Sequence, residues 1–153
     1  MLKSSAPSPT LVIDSSLAVW TVMPVVSGTS INLAERFSEW QSAQYRLVAP
    51  TLWLAECTSA VRAAVYARAV SIEKARVAIE DLFTLGVEIV PMDASLCQAA
   101  FEWAGRLGQV RAYDGFYLTL AEQLNAQFWT ADRRLTNSAR QAGAGWVHWI
   151  GES

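Results

Sequence analysis

The 153-residue chain contains one histidine, two cysteines and only two lysines. With a single imidazole, His148, and two scattered thiols, Cys57 and Cys97, it cannot build a zinc site of the usual His/Cys kind. No CxxC pair is present to suggest a redox motif. Both cysteines fall in apolar helical patterns and are expected to be buried thiols in a reducing compartment. GxGxxG and P-loop signatures are also missing, which removes nucleotide-binding readings based on glycine-rich phosphate loops. His148 lies in the alternating run "WVHWI" and reads as a strand residue facing solvent or a neighbour, not as a catalytic base.

Charge is scarce too. Charged residues make up 17 % of the chain and hydrophobic residues 52 %, with seven tryptophans. This composition excludes a disordered chain and implies a large core or an additional apolar surface for self-association. No apolar run reaches the length of a membrane span, and "MLKSSAPSPT" lacks the apolar stretch of a signal peptide. A cytoplasmic protein without a membrane partner is therefore expected. The net charge of -2 does not advertise a nucleic-acid binder, although ten of the twelve basic residues are arginines, which suit bidentate phosphate or carboxylate contacts.

Residues 1–9, rich in Ser and Pro, read as a flexible lead-in to a single domain over 10–150. Short apolar, β-branched or aromatic runs, "TLVID", "RLVAP", "VEIVP", "AQFWTA" and "GWVHWI", predict strands. Between them lie segments of helical periodicity, among them "TLWLAECTSAVRAAVYARA" and "DASLCQAAFEWAGRLG". The resulting order, β-α-α-β-α-α-β-α-α-β-α-β, implies an α/β fold with a central, mostly parallel sheet covered on both faces.

Ligands of such sheets bind outside the carboxyl ends of the strands. Asp14 falls there after the first strand, and Asp132 after "AQFWTA". Asp114 stands in the first turn of a helix, a place that a capping acid explains by itself. Glu56 lines up at helical spacing with Leu52, Ala60 and Ala63 on an apolar, small-residue stripe, where a charge is costly unless paired or bound to a cation. Converging carboxylates repel one another unless a cation joins them, and oxygen-only donors suit Mg²⁺ or Mn²⁺. Receiver domains need an acidic neighbour to the first Asp and a late lysine. Haloacid-dehalogenase-like phosphatases need a second Asp where Ser16 stands, so both phosphotransfer readings fall well behind.

The segments "LVIDSSLAVW", "LVAPTLWLAECTSAVRAAV", "RAYDGFYLTLAEQLNAQFWTADRRL" and "VHWI" together resemble PIN-domain proteins, most closely the VapC-type toxin ribonucleases of bacterial toxin-antitoxin pairs. The resemblance runs from about Leu11 to Ile150. It implies a three-layer α/β/α PIN-like fold and Mg²⁺- or Mn²⁺-dependent cleavage of RNA. It also implies a homodimer and a small cognate antitoxin protein. The family's acidic quartet maps onto Asp14, Glu56, Asp114 and Asp132 as catalytic and metal-binding residues, and Ser15 and Thr130 match the hydroxyls that support the metal's waters. Arg111, Arg133 and Arg134 are candidates to hold RNA phosphates. Arg133 and Arg134 also occupy the region where some members carry a further acid, and Gly115 replaces a residue that is usually Ala, which is expected to loosen that helix start. Trp20, Trp40 and Trp53 are candidates for a dimer face or antitoxin groove, with core packing the better reading for each. The alternative function is a non-catalytic PIN-fold module that docks RNA or a protein partner.

Overall fold

A computed structural model describes residues 8–152. Residues 1–7 of the expected lead-in lie outside the described residues. Every strand read from the sequence forms: β1 (Thr10–Ile13), β2 (Arg46–Pro50), β3 (Glu88–Val90), β4 (Gln127–Thr130) and β5 (Val147–Trp149). The helices are α1 (Ser15–Val22), α2 (Leu33–Ser42), α3 (Leu52–Tyr66), α4 (Ile72–Leu82), α5 (Ala94–Arg106), α6 (Tyr113–Gln123) and α7 (Arg133–Gln141), with a 3-10 turn at Pro24–Val26. Their termini follow local chemistry: the side chains of Asn32, Ser71 and Asp93 accept backbone N–H bonds at the starts of α2, α4 and α5. Past the end of α5, Gly108 takes the left-handed conformation at φ 65°.

The strands form one sheet in the order β3-β2-β1-β4-β5, and every neighbouring pair is parallel. β1, buried at Leu11, Val12 and Ile13, can be apolar throughout because both its faces are covered. Val12, Val48 and Phe128 pack into a core shared with α3, α5 and α6, whereas Leu11, Ile13 and Leu47 meet Leu33, Phe37 and Trp40 of α2. This is the three-layer α/β/α arrangement. The order also creates a switch point. From β1 the chain moves outward to β2 and β3, then returns to place β4 on β1's other side, so the connections leaving β1 and β4 diverge at their carboxyl ends, where sheets of this kind bind ligands. Among the described residues no helix is long and apolar enough to cross a membrane.

Two expectations are revised, and core packing, the better reading for Trp40 and Trp53, is met. Cys57 is buried, but Cys97 is exposed: α5 turns Leu96, Ala100, Trp103 and Ala104 inward, and Cys97 falls outside that stripe. Trp40 and Trp53 are core residues at 7 % and 2 % exposure, while the apolar surface comes from others, including Val25, Ile72, Val77, Phe83 and Phe101. Gly115 does not loosen α6. It is buried where α6 crosses α5, and a Cβ there would run into the carbonyl oxygen of Ala100. Only a glycine allows this approach. Gly115→Ala is therefore expected to cost about 1–3 kcal/mol, the range for overpacking a tight contact, measured as a lower urea midpoint at unchanged slope.

Candidate active site

Asp14 is the first residue past β1. Its backbone stays extended, and its N–H continues the sheet by donating to Trp129 O at 3.0 Å. Although it holds the N-cap position of α1, its side chain caps nothing. The carboxylate accepts three hydroxyl bonds instead: from Thr130 at 2.6 Å, Ser16 at 3.0 Å and Ser15 at 3.4 Å. Thr130 is buried at the end of β4 and also accepts the N–H of Asp132 at 3.0 Å, so one hydroxyl ties the first acid to the last. Ser16 likewise accepts the N–H of Ala131.

Asp132 is exposed at the head of α7 and spends one oxygen on the Leu135 N–H at 2.9 Å, leaving the other unused by the helix. Asp114 lies one residue inside α6, where the cap position belongs to Ala112; its partner is the Gln109 amide at 2.8 Å, so the capping explanation does not hold. Glu56 is half-buried on α3, beside the inward stripe of Trp53, Cys57, Val61 and Ala64 rather than on it, and Ala63 of the expected stripe is exposed. The Tyr117 hydroxyl donates to Glu56 at 2.6 Å, and the Tyr117 ring is stacked on Phe128 at 5.4 Å.

Asp14, Glu56 and Asp114 are linked electrostatically, and Asp132 acts on Asp114. Burial, and next among the raising causes the charge of Asp114, lift the proton affinity of Asp14 against the pull of Thr130. Glu56 is raised by burial and then by the charges of Asp14 and Asp114, and Asp114 by burial and then by Asp132. Burial and the charges of Asp14 and Glu56 also push up the Tyr117 hydroxyl, keeping it a donor, and the Cys57 thiol, keeping it unreactive. No salt bridge among the described residues reaches any of the four carboxylates. The donor set is all oxygen and strongly anionic, which fits a hard divalent cation. Among the described residues no three acids stand close enough to form a ready-made metal group, so the carboxylates line a shared edge rather than a closed cage.

Arg111, Arg133 and Arg134 are exposed, Arg111 on the connection from α5 to α6 and the others at the start of α7. His148 does face a neighbour, stacking on Trp129 at 5.0 Å. Ser16, Tyr117 and Gln109 are the site residues that sequence reasoning missed. Tyr117 alone left a local signal, three residues after Asp114 and hence on the same side of α6.

The raised carboxyls set a direction for stability. The native state holds these protons more tightly than the unfolded chain, so the stabilising contribution is complete below the ordinary values of 3.8 for Asp and 4.5 for Glu and is lost as pH rises through the raised ones. In EDTA, Asp114→Asn is expected to melt a few degrees above wild type at pH 8. The gap should close near pH 3.5, where both proteins are uncharged at this position. A calorimetric melt at the two pH values checks this.

No curated protein sequence matches the chain. Solved structures do. PAE2754 from Pyrobaculum aerophilum has 17 % identity and a TM-score of 0.63, covering 90 % of this chain and 85 % of that one. VapBC2 from Rickettsia felis, bound to a DNA fragment from their promoter, has 12 % identity and a TM-score of 0.62 over 91 % and 97 % of the two chains. Mycobacterium tuberculosis VapC20, a sarcin-ricin loop cleaving toxin, has 17 % identity and a TM-score of 0.57 over 84 % and 93 %. At such identities the likeness is one of fold. The PIN domain profile matches residues 11–141, nearly the whole described chain and all four acids, and the chain belongs to the PIN-domain family.

Proposed function

We propose that this protein is a VapC-like ribonuclease that hydrolyses RNA phosphodiester bonds with Mg²⁺ or Mn²⁺, its single domain spanning residues 10–150. The carrying observation is the set of four carboxylates at the sheet's carboxyl edge, three of them raised by burial and a neighbouring acid and none with a salt-bridge partner among the described residues. Asp14, Asp114 and Asp132 would hold the cation, with Glu56 direct or through water. When bound, that ion makes water nucleophilic at neutral pH and offsets negative charge on the phosphate.

The chain's own part is to aim three of the acids and to favour their charged forms against burial. Hydroxyls from Ser15, Ser16 and Thr130 do this for Asp14, the Gln109 amide for Asp114 and the Tyr117 phenol for Glu56. Arg111, Arg133 and Arg134 supply positive charge for flanking phosphates. A small antitoxin is the proposed inhibitor, with an arginine entering the acidic edge, and the exposed apolar residues of the Pro24–Val26 turn and α4 support an apolar docking face. A homodimer in the cytoplasm is the proposed working form.

The test is cleavage of a mixed RNA pool with Mn²⁺, Mg²⁺ or EDTA. Wild type should cut only with the cation, and Asp114→Asn should lose more than about 100-fold in rate, beyond the cost of disturbing a supporting residue. Thr130→Val, which leaves every carboxylate in place, should lose about 10–100-fold. A folded wild-type protein that binds RNA but cuts none with either metal would favour the docking module instead.

A further inference from the structure

Among the described residues two arginines lie over a tryptophan ring without a carboxylate partner: Arg106 over Trp103 and, next to the last acid, Arg133. Arg36, Arg46 and Arg140 are each paired with a glutamate. Arg133, immediately after Asp132, has no carboxylate partner among the described residues; its guanidinium carbon lies 5.0 Å from the centre of the Trp149 ring. Trp149 ends β5 in register with Thr130, the residue that fixes Asp14. Its indole is itself held in place, because Gly151 packs so closely on the ring that a Cβ there would collide with it. A planar cation supported on one face by an aromatic ring keeps its N–H edge for a phosphate and its opposite face for a base.

We propose that Arg133 and Trp149 form a nucleotide subsite beside the acidic edge, in which Arg133 grips the phosphate flanking the scissile bond and an unpaired base lies on its outer face. The inference rests on the ribonuclease reading and adds to it a residue that positions Arg133, the indole of Trp149. Trp149 is a positioning residue: it acts through Arg133 by holding the guanidinium over its ring. Stacking on a guanidinium plane is how unpaired bases, unlike duplex, are recognised, and it tolerates any sequence.

The experiment measures binding of a labelled single-stranded RNA, and of the same RNA annealed to its complement, across a salt series by fluorescence anisotropy. All proteins carry Asp114→Asn to prevent cleavage, with Mg²⁺ present. Arg133→Ala and Trp149→Leu should each weaken single-strand binding about tenfold, and Arg133→Ala should lower the salt slope by about 0.7, the value for one lost phosphate contact. The double variant should be no weaker than Arg133→Ala alone, and Trp149→Phe should keep most of the affinity. Arg133→Lys, at an exposed position where folding is not at stake, should keep the salt slope but lose the preference for single strand over duplex. The proposal is overturned if Trp149→Leu binds as the parent does, if the two losses multiply, or if Arg133→Lys keeps the parent's single-strand preference. Absence of RNA binding by the parent itself would overturn the ribonuclease reading, and this inference with it.

Discussion

Repulsion among partly buried carboxylates is the constraint around which the rest of this molecule is arranged. Asp14, Glu56 and Asp114 each sit where burial and a neighbouring acid favour the proton. A chain selected for stability alone would have no use for them. The structure answers with neutral donors, hydroxyl, phenol and amide, each given to one acid and each able to hold the charged form without cancelling it. A lysine or arginine in the same places would satisfy the carboxylates and fill the space for a cation. Neutral donors leave the negative charge of the edge available.

The fold delivers these acids from four distant stretches of chain. Asp14 and Asp132 arrive by strand order, because β1 and β4 are neighbours whose exits diverge. Asp114 arrives by helix packing: α6 lies against α5 closely enough that Gly115 meets the Ala100 backbone, which sets the height of the helix and so of its first-turn acid. Glu56 is fixed from across the fold by Tyr117, whose ring rests on Phe128 in the central layer. Core packing and site geometry are in this sense the same contacts.

Much of this was legible in the sequence, for reasons that separate local from non-local information. The element order could be read because the strands are short β-branched or aromatic runs and the helices are long, alanine-rich and punctuated by Gly or Pro. The four acids stood out because two follow strands, one stands in the first turn of a helix and one interrupts an apolar helix face. Where two segments must be brought together, the reading failed. Ser16, Gln109 and Tyr117 act through partners on other segments or turns, Cys97 depends on which side of α5 faces the sheet, and Gly115 can be understood only once α5 is known to pass so near. The place of β4 beside β1, which creates the switch point, likewise follows from no local pattern.

The account's central claim is that the four carboxylates together bind a divalent cation. Anomalous diffraction at the manganese edge, from crystals soaked in Mn²⁺, tests it most directly. The prediction is a peak between Asp14, Asp114 and Asp132, missing from crystals of Asp14→Asn soaked in the same way. An intact acidic edge with no peak, or a peak held elsewhere by other residues, would contradict it.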